Sequence, residues 1–205
     1  ERHGVITWRA GCSGMGTSGS EGGQQKPIQR QRGQGAAGRP YTYVRTTSGF
    51  CYTAFVTDAF SRKIVGWSTR TTMRTDVLPL EALEHALLSA KDQALEGLVH
   101  HSDRGSQYVS IRYTEHLAKA GLTASVGTAG DAYDNALAET VNGLYKTELI
   151  YARPAWPTAT EVEFETMNWV HWWNTRRLHE ALDYQTPTEF EASYHMTQAH
   201  VLSPV

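Results

Sequence analysis

Charge of one sign is what this chain lacks first: 19 lysines and arginines stand against 21 aspartates and glutamates, a formal net charge of −2 over 205 residues. A globally basic nucleic-acid binder is therefore excluded, and any contact with DNA has to come from local basic patches. Cysteine is scarce as well. Cys12 and Cys51 lie far apart and in no ligand or redox spacing, which argues against a zinc knuckle or a disulfide framework and fits a reducing compartment. No apolar run approaches the roughly 18 residues that a membrane helix needs. The opening ERHGVITWRAG does not show the basic, apolar, small-residue order of a signal peptide. The expectation is a cytoplasmic protein with no membrane contact.

What is present is unevenly distributed. Ten of the 18 glycines fall within residues 1–39, a segment with neither helical nor strand periodicity, and such a segment cannot bury enough apolar surface to offset its ordering entropy. Residues 1–39 are therefore expected to be disordered, with Arg30, Arg32 and Arg39 as a possible basic arm. From residue 41 the texture changes to YTYVRTTSGFCYTAFVTDAFSRKIVGWSTRT, three β-rich stretches separated by SG and DAFS turns, which reads as an antiparallel meander. Asp58 falls at the second turn, where a side-chain hydrogen bond to the backbone near Ser61 is the expected role. Leu80, Leu83 and Leu87 recur at helical spacing after Thr75 or Asp76 as cap. A short apolar strand then ends at HHSDRGSQY, followed by the helix IRYTEHLAKAG stopped at Gly121, the strand LTASV, a glycine-containing loop, and the helix NALAETVNGLYKTELI.

Asp103 thus stands at the carboxyl end of a strand, the edge where open α/β sheets bind ligands. On the last of these helices Leu137, Val141 and Leu144 share one face, while Glu139 and Lys146 fall together on the opposite one. An acid and a cation aimed away from the core are most often a solvated stripe. Two carboxylates at a strand end and on a helix after a loop also suit divalent-cation chemistry.

Three stretches, HSDRGSQY, GDAYDNALAET and WWNTRRLHEALDYQTPTEF, in this order resemble the catalytic core of bacterial insertion-sequence transposases, relatives of retroviral integrases. The resemblance covers roughly residues 41–194. It implies an α/β, RNase H-like fold: a mixed sheet flanked by helices, with residues 40–151 as the core and 152–205 as a helical extension with a tail. It also implies that Asp103 and Glu139 are the second and third acids of an Asp, Asp, Glu triad holding Mg²⁺ or Mn²⁺. Phosphodiester transfer uses two such cations about 3.5–4 Å apart. Lys146 matches a family lysine that contacts the DNA end, and Tyr133 and Asn135 belong to the motif around the loop, where Asn135 is equally a helix cap. The first acid belongs to a pattern Asp, apolar, Thr, Tyr; here Thr42 and Tyr43 match, but the acid's position is Pro40, which offers no metal ligand. Loss of resemblance and the glycine-rich composition meet at residue 40, as a shifted reading frame would produce; the alternative is an authentic but divergent amino-terminal arm.

Beyond residue 151, Trp169, Trp172 and Trp173 are expected to pack a long helix onto the core. Arg176, Arg177 and His179 follow as a basic cluster, read either as phosphate contacts or as positive charge capping the helix end. His100 and His101 flank the site without being required by oxygen-ligand chemistry. The implied activity is cutting DNA at transposon ends and joining the 3′ hydroxyls to target DNA, with transposon-end and target DNA as partners. The chain is expected to form a homo-oligomer or to work with a separate end-binding protein. The alternative is a non-catalytic DNA-binding or oligomerisation module, and a related nuclease is a third reading.

Overall fold

Strand β3 (Gly49–Asp58) organises the sheet, because it is long enough to pair with three neighbours. The computed structural model describes residues 7–10, 42–72, 74, 77–91, 95, 98–102, 111–126 and 132–201. On one side β3 pairs antiparallel with β4 (Ile64–Arg70). On the other side its first half pairs with β2 (Thr42–Thr46) and its second half with β1 (Thr7–Ala10), both antiparallel. Strand β1 pairs in parallel with β5 (Val99–Ser102), and β5 with β6 (Thr123–Val126). The helices are α1 (Leu78–Ser89), α2 (Ile111–Lys119), α3 (Ala132–Tyr145), α4 (Ala159–Thr175) and α5 (Pro187–Val201). The meander and the helix and strand order after it are as the sequence pattern indicates, and the mixed sheet flanked by helices is as the family resemblance implies.

One element departs from that pattern. Thr7–Ala10 lies inside the segment expected to lack regular structure, yet it forms a strand in the middle of the sheet. Four residues carry too little periodicity to be recognised alone; backbone pairing on both edges supplies what the side-chain pattern does not. Its register is informative. Ala10 faces Val56 and Thr42 faces Thr53, so only Ala54 and Phe55 separate the positions that β1 and β2 take along the same side of β3. The two short strands therefore share one column, in one direction, as two halves of an interrupted strand.

The sheet separates two apolar clusters. On one face Ala54 and Val56 pack with Leu78, Ala82 and Leu83 of α1 and with Tyr113 and Leu117 of α2. Helix α1 starts on Val77 with no side-chain cap, and the candidate caps Thr75 and Asp76 lie outside the described residues. Gly121 (φ +72°) takes the left-handed conformation that ends α2, where Leu122 N–H donates to the Leu117 carbonyl. On the other face Val44, Cys51 and Phe55 meet Val141 and Tyr145 of α3, Trp156, and Val162, Trp169 and Trp173 of α4. Burial pushes the Cys51 thiol up to about 11. Phe55, Tyr145 and Trp169 form an aromatic triad with centroids 5.0–5.7 Å apart. Trp172 corrects the expectation that all three helix tryptophans face the core: it is exposed, because Trp169 and Trp173, one turn apart, already occupy the buried stripe.

Asp58 sits at the turn as expected. Its Oδ2 accepts from the Ser61 amide at 2.9 Å and the Ser61 hydroxyl at 2.5 Å, and its Oδ1 from the Phe60 amide at 3.3 Å. A carboxylate so committed is a turn support and not a spare metal ligand. Asp58→Asn should lower stability by about 1–2 kcal/mol, the scale of charge-assisted hydrogen bonds, measured by urea unfolding. If stability were unchanged and divalent-cation binding vanished instead, the turn role would be refuted.

Candidate functional site

The sheet is incomplete beyond the carboxyl end of β5, and this is where the candidate site lies. Strand β5 pairs with β1 but not with β2, so along Thr42–Thr46 the outer edge of the shared column has no strand beside it among the described residues. Helix α3 lies against this column and is fixed to it by a buried hydrogen bond, from the Thr42 hydroxyl to Asn142 Oδ1 at 2.9 Å. Thr42, Val44 and Thr46 are buried on the α3 side, whereas Tyr43 and Arg45 are exposed on the other. Neither Thr42 nor Asn142 stands out in the sequence as a pair, since nothing local links residues a hundred positions apart.

Glu139 lies one turn before Asn142, is exposed, and has no hydrogen bond or ion pair among the described residues. Its neighbour in composition, Glu148, is in the opposite situation: it accepts from Trp169 Nε1 at 3.1 Å and from the Arg177 guanidinium at 3.1 Å. Asp103 follows β5 directly in sequence and lies outside the described residues, as does Pro40. Tyr133 and Asn135 fall in the first turns of α3, and their side chains lie outside the described residues. Because α3 already begins at Ala132, Asn135 is inside the helix, which corrects the cap reading.

Past Tyr145 the helix widens into a π turn over Lys146–Ile150, with the Tyr151 amide donating to the Lys146 carbonyl at 2.7 Å. Lys146 opens that turn, and it is not the fully solvated side chain that a surface stripe implies. Its ammonium is half-buried 5.8 Å from the centre of the Tyr43 ring, and burial lowers its proton affinity. Tyr145, wholly buried, bonds the hydroxyls of Thr166 (2.8 Å) and Thr53 (3.3 Å), so the turn before Lys146 is anchored in the core. Burial raises the Tyr145 pKa accordingly.

Arg176, Arg177 and His179 diverge in their surroundings. Arg176 is exposed at the end of α4. Arg177 is bound to Glu148 and lies 4.8 Å from the Trp173 ring centre. His179 is buried against Trp173, with burial first and the Arg177 charge second lowering its pKa. Folding therefore disfavours His179 protonation, so this contribution is complete above the ordinary histidine range and declines as pH falls through that range towards the lowered value. His100 is wholly buried and 2.8 Å from the Tyr113 hydroxyl, a core position.

A divalent cation at this site can be tested against the donors present. Glu139 offers oxygen and has no competing partner among the described residues, and the buried amide nitrogen of Asn142 also has none there. A hard cation and the anionic oxygens around it suit both groups. Among the described residues no cluster of three metal-ligating side chains occurs.

A mixed sheet of this order with helices on both faces defines an RNase H-like α/β fold. Residues 39–132 and 120–187 match models of the integrase core domain. The chain belongs to the insertion-sequence transposases with an integrase-like core of the Asp, Asp, Glu type. It is 47% identical over 175 residues to a protein of insertion sequence element IS986/IS6110 in Mycobacterium tuberculosis, covering 82% of this chain and 63% of that one. It is 50% identical over 155 residues to the transposase of IS629 in Shigella sonnei, covering 76% and 51%. The chain thus spans about half to three-fifths of these relatives. The HTLV-2 integrase catalytic core, in a structure with magnesium in a trimeric form, shares the fold with a TM-score of 0.54 at 14% identity, over 91% of this chain and 95% of that one. No helix among the described residues is long and apolar enough to cross a membrane.

Proposed function

We propose that this chain is the core that cuts DNA at transposon ends and joins their 3′ hydroxyls to target DNA, with Asp103 and Glu139 holding Mg²⁺ or Mn²⁺. The observation that supports this most is Glu139: an exposed, uncommitted carboxylate on a helix fastened by Thr42 and Asn142 to the strand column beside β5. His100 faces Tyr113 on the α2 side, so strand alternation directs residues 99 and 101 to the opposite face. When bound, the cations would polarise a phosphodiester and stabilise the oxygens entering and leaving it. Glu139 and Asp103 would hold those ions, Asn142 would fix the height of Glu139 on the sheet, and Lys146 would meet a DNA phosphate. Tyr133, Asn135, Arg176, Arg177 and His179 are proposed contacts, and Arg176 is the best placed of the last three because its guanidinium is exposed. A homo-oligomer, or a separate end-binding protein, would present the transposon ends; the HTLV-2 core, trimeric and in complex with magnesium, supports both the ion and the assembly. With Pro40 where the family has its first acid, strand transfer would be slight.

Calorimetric titration with Mn²⁺ tests the reading. Glu139→Gln should weaken binding at least about tenfold, since a ligating charge is lost, whereas Glu148→Gln should leave it unchanged because Arg177 and Trp169 already occupy that carboxylate. Unaltered binding in Glu139→Gln would remove the metal site from α3.

A further inference from the structure

The exposed face of the β2–β3 hairpin has two large aromatic side chains that no core explains. Tyr43 and Phe50 are each 50% exposed, lie diagonally across the two strands, and meet edge to face at 6.2 Å. Arg45 is exposed between them in sequence on the same face of β2, and Lys146 approaches the Tyr43 ring from the end of α3. Neither cation is paired with a carboxylate among the described residues, in contrast to Arg70, Arg153 and Arg177. The hairpin is also held in place: the Thr47 amide donates to the Trp156 carbonyl at 2.8 Å and the Thr47 hydroxyl to the Pro157 carbonyl at 2.7 Å.

Aromatic faces beside uncompensated positive charge are the chemistry that binds single-stranded nucleic acid, rings stacking on bases and cations meeting phosphates. Resting on the DNA reading above, we propose that Tyr43, Phe50, Arg45 and Lys146 form a platform that takes an unpaired nucleotide of the DNA end on the face of the sheet opposite α3. Thr42, adjacent to Tyr43, points to the other face and is bonded to the helix of Glu139, and Lys146 reaches the Tyr43 ring from the end of that helix, so platform and helix are joined through one strand. A duplex with intact terminal pairs offers only the outer face of its last pair, whereas an unpaired base can leave the stack and lie across the rings with its phosphate towards the cations. The platform would therefore distinguish frayed or tailed ends from blunt ones.

The test is fluorescence anisotropy of the full chain, in EDTA to prevent chemistry, with a blunt duplex and with the same duplex ending in a short single-stranded 3′ tail. Phe50→Ala and Tyr43→Leu should weaken binding of the tailed probe about tenfold and of the blunt probe less than about twofold, while Phe50→Tyr and Tyr43→Phe keep the preference. Arg45→Ala should weaken both probes and reduce the salt dependence by about one charge. Circular dichroism checks that each half-exposed substitution leaves the fold intact. Equal losses on both probes, or no loss, would overturn the platform and leave the DNA reading standing. Failure of the unmodified chain to bind either probe would overturn both.

Discussion

Pro40→Asp should raise Mg²⁺-dependent joining of pre-cut transposon ends from background by at least about tenfold, equivalent to about 1.4 kcal/mol or more of barrier. The reason lies in strand alternation. Thr42, Val44 and Thr46 point to the α3 side, so a side chain two residues before Thr42 in a continuing strand shares that side with Asn142 and the helix of Glu139. A third carboxylate there would complete the ligand set for a second cation. Proline also fixes φ and lacks an amide donor, so its replacement relieves two obstacles to extending β2.

A second variant follows from register. Because only Ala54 and Phe55 separate the partners of Ala10 and Thr42, residues 11–41 can be replaced by the dipeptide Asp-Leu to make one strand, its carboxylate opposite Phe55. Shortening the connection should also add roughly 2 kcal/mol of stability through loop-closure entropy. Both variants are assayed with the end-binding domain of the native system. If neither joins ends while both bind Mn²⁺ more tightly, the missing first acid is not what limits this chain. Robust joining by the unmodified chain would show that the third ligand comes from elsewhere.

Gly66→Ala should be the most damaging single-methyl change in the fold. A Cβ at Gly66 of β4 would stand 2.1 Å from the Ala82 carbonyl oxygen, 2.7 Å from the Ala86 amide nitrogen and 2.8 Å from the Ala86 Cβ. Two of these atoms are backbone of α1 and the third is fixed directly to it, so no rotamer change makes room; the whole helix must lift from the sheet. That would open the cluster of Ala54, Val56, Leu78 and Leu83. A loss of about 3 kcal/mol or more is expected, at the upper end of overpacking effects, lowering Tm by roughly 10 °C in a domain of this size. Gly143→Ala is the contrasting control. Its Cβ would meet nothing within 4 Å on α3, so the helix should gain about 0.5–1 kcal/mol. A Gly66→Ala protein as stable as the parent would mean that α1 does not rest against β4 as closely as described.

Local chemistry in the sequence determined much of this protein. The turn at Asp58 is legible because an aspartate accepting from amides two and three residues on is a local interaction. The end of α2 at Gly121 is legible for the same reason, and the two helical stripes of α1 and α3 because their periods are set within a few turns. Three ordered motifs were enough to indicate the family. What depends on distant partners could not be read. Thr7–Ala10 is a strand because β3 and β5 offer it edges; Trp172 faces outward because its neighbours on α4 take the inner stripe; Arg177 is held by a glutamate 29 positions away. The half-burial of Lys146 turns on the distant Tyr43 ring, and the height of Glu139 on a bond between Thr42 and Asn142. Periodicity and turn chemistry act over a few residues, whereas burial, strand register and ion pairing are settled only when separate segments compete for the same space.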